Sequence, residues 1–211
     1  AGPLSIGITV MGEVPAGQSL LRSGAKPGDD IWVSGFPGLA RLALEAFRGT
    51  LHPALGGEAF EATRLAMERP DPRVALGVGL RGLATAAIDV SDGLLGDLGH
   101  ILRRSKVGAS LCVDALPVSA WLAERSADEQ LDCILAGGDD YELVFTAAPA
   151  QRARIFELGS SLGLVLSRIG CIEAEAGLRL WRGELDLWPD DPARTAEPNR
   201  WPAFPHFQGA A

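Results

Sequence analysis

Apolar positions change period several times along the chain, and each change marks an element. Leu4, Ile6, Ile8 and Val10 alternate with smaller residues, so Leu4–Gly12 reads as a strand with one apolar face. A crossing segment, Glu13–Leu21, leads to a Pro-Gly turn within Arg22–Asp29, a short strand at Ile31–Val33 and a loop over Ser34–Gly38. Helical spacing covers Leu39–Phe47 and Phe60–Glu68, the second ended by Pro70 and Pro72. Between them Gly49–Gly57 is a connection carrying His52, an isolated loop histidine suited to the surface. Val74–Leu83 is apolar and glycine-rich, the pattern of a helix packed closely on a sheet.

Thr85–Val90 is a short apolar run, the mark of a buried strand. From Leu94 the apolar residues fall at 94, 95, 98, 101 and 102, one face of a helix that runs to about Lys106. The pattern then predicts a strand at Ala109–Val113, helices near Val118–Glu124 and Asp128–Leu135, and a strand at Tyr141–Thr146. A helix at Gln151–Leu162 and a strand at Leu164–Ile172 follow, then a small hairpin around Gly183 formed by Leu178–Arg182 and Glu184–Leu187. From Pro189 the chain is rich in Pro and polar residues, with Trp201, Phe204 and His206-Phe207 spaced along it.

Composition narrows the classes. A chain of 211 residues, 47% hydrophobic and 22% charged, can bury a full core, and its length suits one domain plus a fragment of another. A formal charge of −8 argues against nucleic acid or an anionic membrane as partner, though not against a nucleotide carried as its magnesium complex. Cys112, Cys133 and Cys171 lack metal-ligand spacing and read as reduced thiols of a cytoplasmic protein. No apolar run approaches the ~20 residues that span a bilayer, and no signal peptide is visible.

The densest chemistry lies in Ala87–His100, where a strand stops, turns and opens a helix. Two readings fit Asp89, Ser91 and Asp92. In one, Ser91 or Asp92 is the helix N-cap and Asp89 a solvated turn residue. In the other, Asp89 and Asp92 hold Mg²⁺ while Ser91 and the helix N-terminus meet phosphate. Bare carboxylates repel polyphosphate, so the second reading requires a hard cation between them. Gly93 would let phosphate come close to the backbone. Asp97 and His100 lie one turn apart on this helix, near enough for a structural polar contact or a supporting role. A second acidic stretch, Ala136-Gly137-Gly138-Asp139-Asp140-Tyr141-Glu142-Leu143, precedes a strand. Arg22 and Lys26 are clustered cations that belong either to a solvated turn or, for Arg22, to a phosphate clamp.

These stretches together resemble the thiamine-monophosphate kinase family, part of the aminoimidazole ribonucleotide synthetase superfamily. Residues 88–100 match its I-D-x-S-D-G-L-x-x-D-L-x-H segment, and 137–143 match its G-G-E-D-Y-E-L segment with Asp139 in place of Glu. Its R-S-G-A-K-P-G-D turn stands at Arg22–Asp29, and its P-x-P-R step at Pro70–Arg73. The resemblance implies an α+β fold, a mixed sheet with packed helices like the C-terminal domain of that superfamily. It implies that residues 1–20 are the last strand and connection of a truncated N-terminal ATP-binding domain, and that 21–211 form the C-terminal domain with an aromatic tail.

For function, the resemblance implies phosphoryl transfer from MgATP to thiamine monophosphate in the cytoplasm, by a protein that is a homodimer at full length. Asp89 and Asp92 would bind Mg²⁺, and Arg22 and Ser91 the nucleotide. Asp139 would bind the acceptor, one methylene shorter than the family's Glu. Phe204 aligns with the tail aromatic that stacks on the acceptor, and it serves equally well as a buried anchor. The family's first domain carries further metal-binding aspartates, so the 211-residue chain is expected not to turn over alone. Two other readings stay open: a sister synthetase of the superfamily, against which the Gly-Gly-Asp-Asp-Tyr-Glu segment and the tail speak, and a catalytically inactive binding domain.

Overall fold

In the computed structural model, which describes residues 6–187, seven strands form one mixed sheet. In chain order the elements are β1 (Asp30–Ser34), α1 (Leu39–Arg48), α2 (Gly57–Glu68), α3 (Val74–Gly79), β2 (Ala84–Val90), α4 (Leu94–Ser105) and β3 (Gly108–Cys112). They continue with α5 (Ala120–Ala123), α6 (Ala127–Ala136), β4 (Glu142–Ala147), α7 (Arg152–Leu162), β5 (Leu166–Glu173), β6 (Gly177–Arg182) and β7 (Leu185–Asp186). The spatial order is β2-β4-β1-β5-β3-β6-β7. Neighbours are antiparallel except β3 and β6, which run parallel. The α+β expectation holds, and the mixed character comes from that single parallel pair.

Helices cover both faces. Ile31 and Val33 of β1 face a core shared with α1, α4 and α6, through Leu42, Leu94, Leu98, Ile101 and Ile134. Trp32 faces the other way, into a smaller core with Leu76 and Leu80 of the α3 region, Phe145 and Ile155 of α7. All five residues of β1 are buried, because the strand is central in the sheet and sandwiched. Burying side chains such as Leu94, Leu98 and Ile101 contributes roughly 1.5–3 kcal/mol each. Asp30 is tolerated there because the Arg152 guanidinium forks onto its carboxylate with two bonds of 2.7 Å, which also pins α7 to the sheet.

Periodicity located the elements, with three differences. The helix expected over Val74–Leu83 closes at Gly79, since residues 80–83 turn to feed β2. The helix expected near Val118–Glu124 is one turn, Ala120–Ala123, capped by the Ser119 hydroxyl, which accepts the Leu122 N–H at 3.2 Å. The strand expected over Leu4–Gly12 does not form in its described part. Ile6, Ile8 and Val10 are at least three-quarters exposed and residues 6–12 have no regular structure. Alternation alone does not make a strand: without a neighbouring ladder its N–H and C=O groups gain nothing from extension. Among the described residues no helix is long and apolar enough to cross a membrane.

Candidate active site

The two acidic stretches meet because β2 and β4 are neighbours. Asp89 pairs with Leu143 and Val90 with Glu142. The pairing continues past the strand ends: the Tyr141 N–H donates to the Val90 carbonyl at 2.9 Å, and the Asp139 N–H to the Ser91 carbonyl at 3.0 Å. Gly93 completes the join. Its φ is 107°, and a Cβ there would lie 3.1 Å from the Ala136 backbone, so a side chain would push the segments apart. The sequence motifs are thus one structural unit.

The start of α4 overturns the capping reading. Gly93 is the N-cap residue and makes no side-chain cap; neither Ser91 nor Asp92 fills that role. Asp97, from inside the helix, reaches back and its Oδ2 accepts the N–H groups of both Ser91 and Asp92, each at 2.9 Å. The positive φ of Gly93 folds the turn back over the first helical turn, which brings those amides to Asp97. They are therefore occupied by protein and not open to phosphate.

Burial pushes the Asp97 carboxyl up to about 6; the two amides oppose the shift, while the charges of Asp92 and Asp89 add to it. Carboxylate and imidazole ligand atoms of Asp92, Asp97 and His100 lie within 4.8 Å of one another. His100 Nδ1 is 3.2 Å from an Arg103 nitrogen, and burial, then Arg103 and Arg22, lower its pKa.

Residues 139–142 divide between two sides. Asp139 and Tyr141 have φ of 64° and 51°, in the left-handed region, and Tyr141 lies within the field of Asp89 on β2 and Asp92 in the turn that follows it. The Tyr141 hydroxyl lies 3.4 Å from Asp139 Oδ1. Its phenol is raised first by burial, then by the Asp139 charge and hydrogen bond, then by Asp89 and Asp92.

Asp140 and Glu142 point to the rear. Asp140 accepts the N–H groups of Gly38 at 2.8 Å and Ala40 at 3.4 Å, capping α1 from another part of the chain. Burial pushes its carboxyl up to about 8 against the pull of those amides, with Glu142 and Asp139 adding to the rise. Buried Glu142 receives a fork from Arg73 at 2.6 and 2.7 Å and the Ser34 hydroxyl at 2.5 Å. Behind them opens a cleft of about 470 Å³ between Phe36, Leu65, Arg69 and Val165.

The structure therefore brings Asp89, Ser91, Asp92 and Asp139 together. Asp89 is exposed, and the other three are half-buried. Arg22 is exposed beside α4. Its carbonyl accepts the Ser105 hydroxyl, the preceding Leu21 carbonyl accepts the Ala87 N–H at 2.9 Å, and its charge is felt at His100. Phe204 lies outside the described residues. Sequence reasoning missed Tyr141, Asp140 and the Arg73–Glu142 pair. Their signal was present, since Arg73 closes the P-x-P-R step and the other three sit within the second motif, but their facing depends on a backbone that no periodicity announces.

Residues 26–182 match the family described as AIR synthase related protein, C-terminal domain. The chain is 38% identical over 208 residues to the thiamine-monophosphate kinase of Salmonella typhimurium, covering 98% of this chain and 61% of that relative. A crystal structure of thiamine-monophosphate kinase from Stenotrophomonas maltophilia K279a superposes with a TM-score of 0.74 at 50% identity, over 79% of this chain and 54% of that one. AaThiL complexed with AMPPCP and TMP superposes with a TM-score of 0.66 at 26% identity, over 80% and 54%. The chain thus spans between half and two thirds of the length of these relatives.

Proposed function

The chain belongs to the family of AIR synthase related proteins, through their C-terminal domain, and from that premise we propose that it serves ATP-dependent phosphorylation of thiamine monophosphate to thiamine diphosphate. The observation that carries the reading is the joining of β2 to β4, which sets Asp89, Asp92 and Asp139 around one turn. Relatives named as thiamine-monophosphate kinases, and one solved with AMPPCP and TMP, support the choice of substrates.

The donor set suits Mg²⁺. Asp89 and Asp92 offer hard oxygen ligands, and the upward push on Asp97 by these two acids is a repulsion that a bound cation relieves. When bound, Mg²⁺ neutralises phosphate charge. The protein's own part is placement. Asp97 holds the Ser91 and Asp92 amides, so the Asp92 carboxylate and Ser91 hydroxyl are presented from a fixed turn. Because those amides are taken, Ser91 serves the nucleotide through its hydroxyl, with Arg22 supplying charge. The acceptor is a phosphate, ionised near neutral pH, and needs no general base, so positioning and neutralisation carry the step. Asp139 takes the cationic side of the acceptor, and Phe204 of the tail an aromatic face. Residues 1–20 connect to a preceding domain that completes the metal set, in a cytoplasmic homodimer.

The test is to incubate the intact protein with MgATP and thiamine monophosphate and to follow thiamine diphosphate by chromatography. Product that disappears when Mg²⁺ is chelated supports the reading. ATP consumption with a purine-pathway amide and none with thiamine monophosphate would replace it with the sister synthetase.

A further inference from the structure

Tyr141 has a backbone that the fold does not reward. Its φ of 51° lies in a region that bulky side chains rarely enter. Asp139 shares that region, but a short polar side chain enters it more readily. The tyrosine gains little burial in exchange, since 40% of it remains exposed. Packing therefore does not explain a tyrosine here. The backbone beneath is over-determined: its N–H is bound to Val90, and the next residue is locked by Arg73. Strain held in place by its surroundings is characteristic of functional positions. The ring stands at the mouth of the acid cluster, its hydroxyl on Asp139 and within the field of Asp89 and Asp92.

We propose that the Tyr141 ring is the wall on which the cationic ring of the thiamine substrate rests, which makes it a specificity-determining residue of the reaction proposed above, on which this inference depends. A cation is drawn to an aromatic face, and the Asp139 carboxylate beside the ring hydroxyl adds to the pull. A neutral nucleobase gains far less from that setting. The contact therefore separates thiazolium from adenine, and it lies within the described domain, independent of the tail.

Isothermal titration of the intact protein tests this, with thiamine monophosphate and, separately, MgADP as probes. Tyr141→Phe keeps the ring and holds the thiamine monophosphate Kd within about twofold of the parent. Tyr141→Leu removes the π-face and weakens it roughly tenfold. Tyr141→Gly relieves the positive φ, so its melting temperature stays at or above the parent's while binding weakens by the same factor. MgADP affinity stays unchanged in all three. Tight thiamine monophosphate binding by Tyr141→Leu and Tyr141→Gly would overturn the inference and leave the proposed function standing. Parallel loss of MgADP binding would also overturn it, as a general disturbance of the site. A parent protein that binds no thiamine monophosphate would overturn both.

Discussion

Two acidic faces lie back to back across residues 139–142, and they meet their charge differently. On the rear, Glu142 sits in the fork of Arg73 with the Ser34 hydroxyl added, and Asp140 is set against the first amides of α1. On the front, the neighbours that raise Asp97 and Tyr141 are other acids: Asp92, Asp89 and Asp139. On the rear the acids are matched by groups of the chain. On the front several acids crowd one surface, with the Arg22 and Arg103 charges close by at His100, and such crowding favours a cation arriving with a ligand. One segment serves both because its side chains alternate in partner: Asp139 and Tyr141 meet each other, while Asp140 meets α1 and Glu142 meets Arg73.

If that division is right, front and rear substitutions fail in different ways. The largest effect belongs to Asp89→Asn in the intact protein. Its kcat should fall on the order of a thousandfold with the melting temperature unchanged, as measured by product formation and calorimetry. A stability loss with full turnover per folded molecule would make Asp89 part of the scaffold. Arg73→Ala should do the reverse. It strands a buried carboxylate, so denaturant titration should show a loss of about 3 kcal/mol, with kcat per folded molecule nearly kept. Normal stability in that variant would break the comparison.

The acid shifts give the next test. Asp140 rises from an ordinary 3.8 to about 8, so the fold holds its proton more tightly than the unfolded chain does. The stability it contributes is complete below pH 3.8 and is lost as pH rises through about 8. Asp97, raised to about 6, adds a smaller loss ending near that pH. Urea titrations of the parent should show a decline between pH 6 and 8 that Asp140→Asn flattens, and an unchanged slope would assign the decline elsewhere. The smallest expected effect is Asp139→Ala in the intact enzyme, a KM for thiamine monophosphate raised roughly tenfold with the KM for ATP kept. Equal changes in both would move Asp139 to the nucleotide side.

Much of this was legible in the residues. Helix spacing from Leu94, the apolar run before Val90 and the Gly-Gly before Asp139 each encode a local preference, and local preferences are written in nearby residues. The acids of Asp89–Asp92 and Asp139 were visible as candidates for the same reason. The residues alone left capping and metal binding both open, because a hydroxyl or carboxylate just before a helix is the usual cap, while here Gly93 turns the chain back and Asp97 supplies the acceptor from four residues further on.

The sequence by itself determined the element types, the two acidic stretches and their order along the chain, since these follow from periodicity and turn chemistry over a few residues. Only the tertiary structure decided that β2 lies beside β4, that Ser91 and Asp139 share a hydrogen bond, and that Arg73 closes on Glu142 across 69 residues. It also decided that Ile6–Gly12 stays without a ladder among the described residues, although the alternation there is clear. Long-range pairing depends on which surfaces are buried once the whole sheet has formed. That free energy belongs to the assembled core, and no single segment carries it.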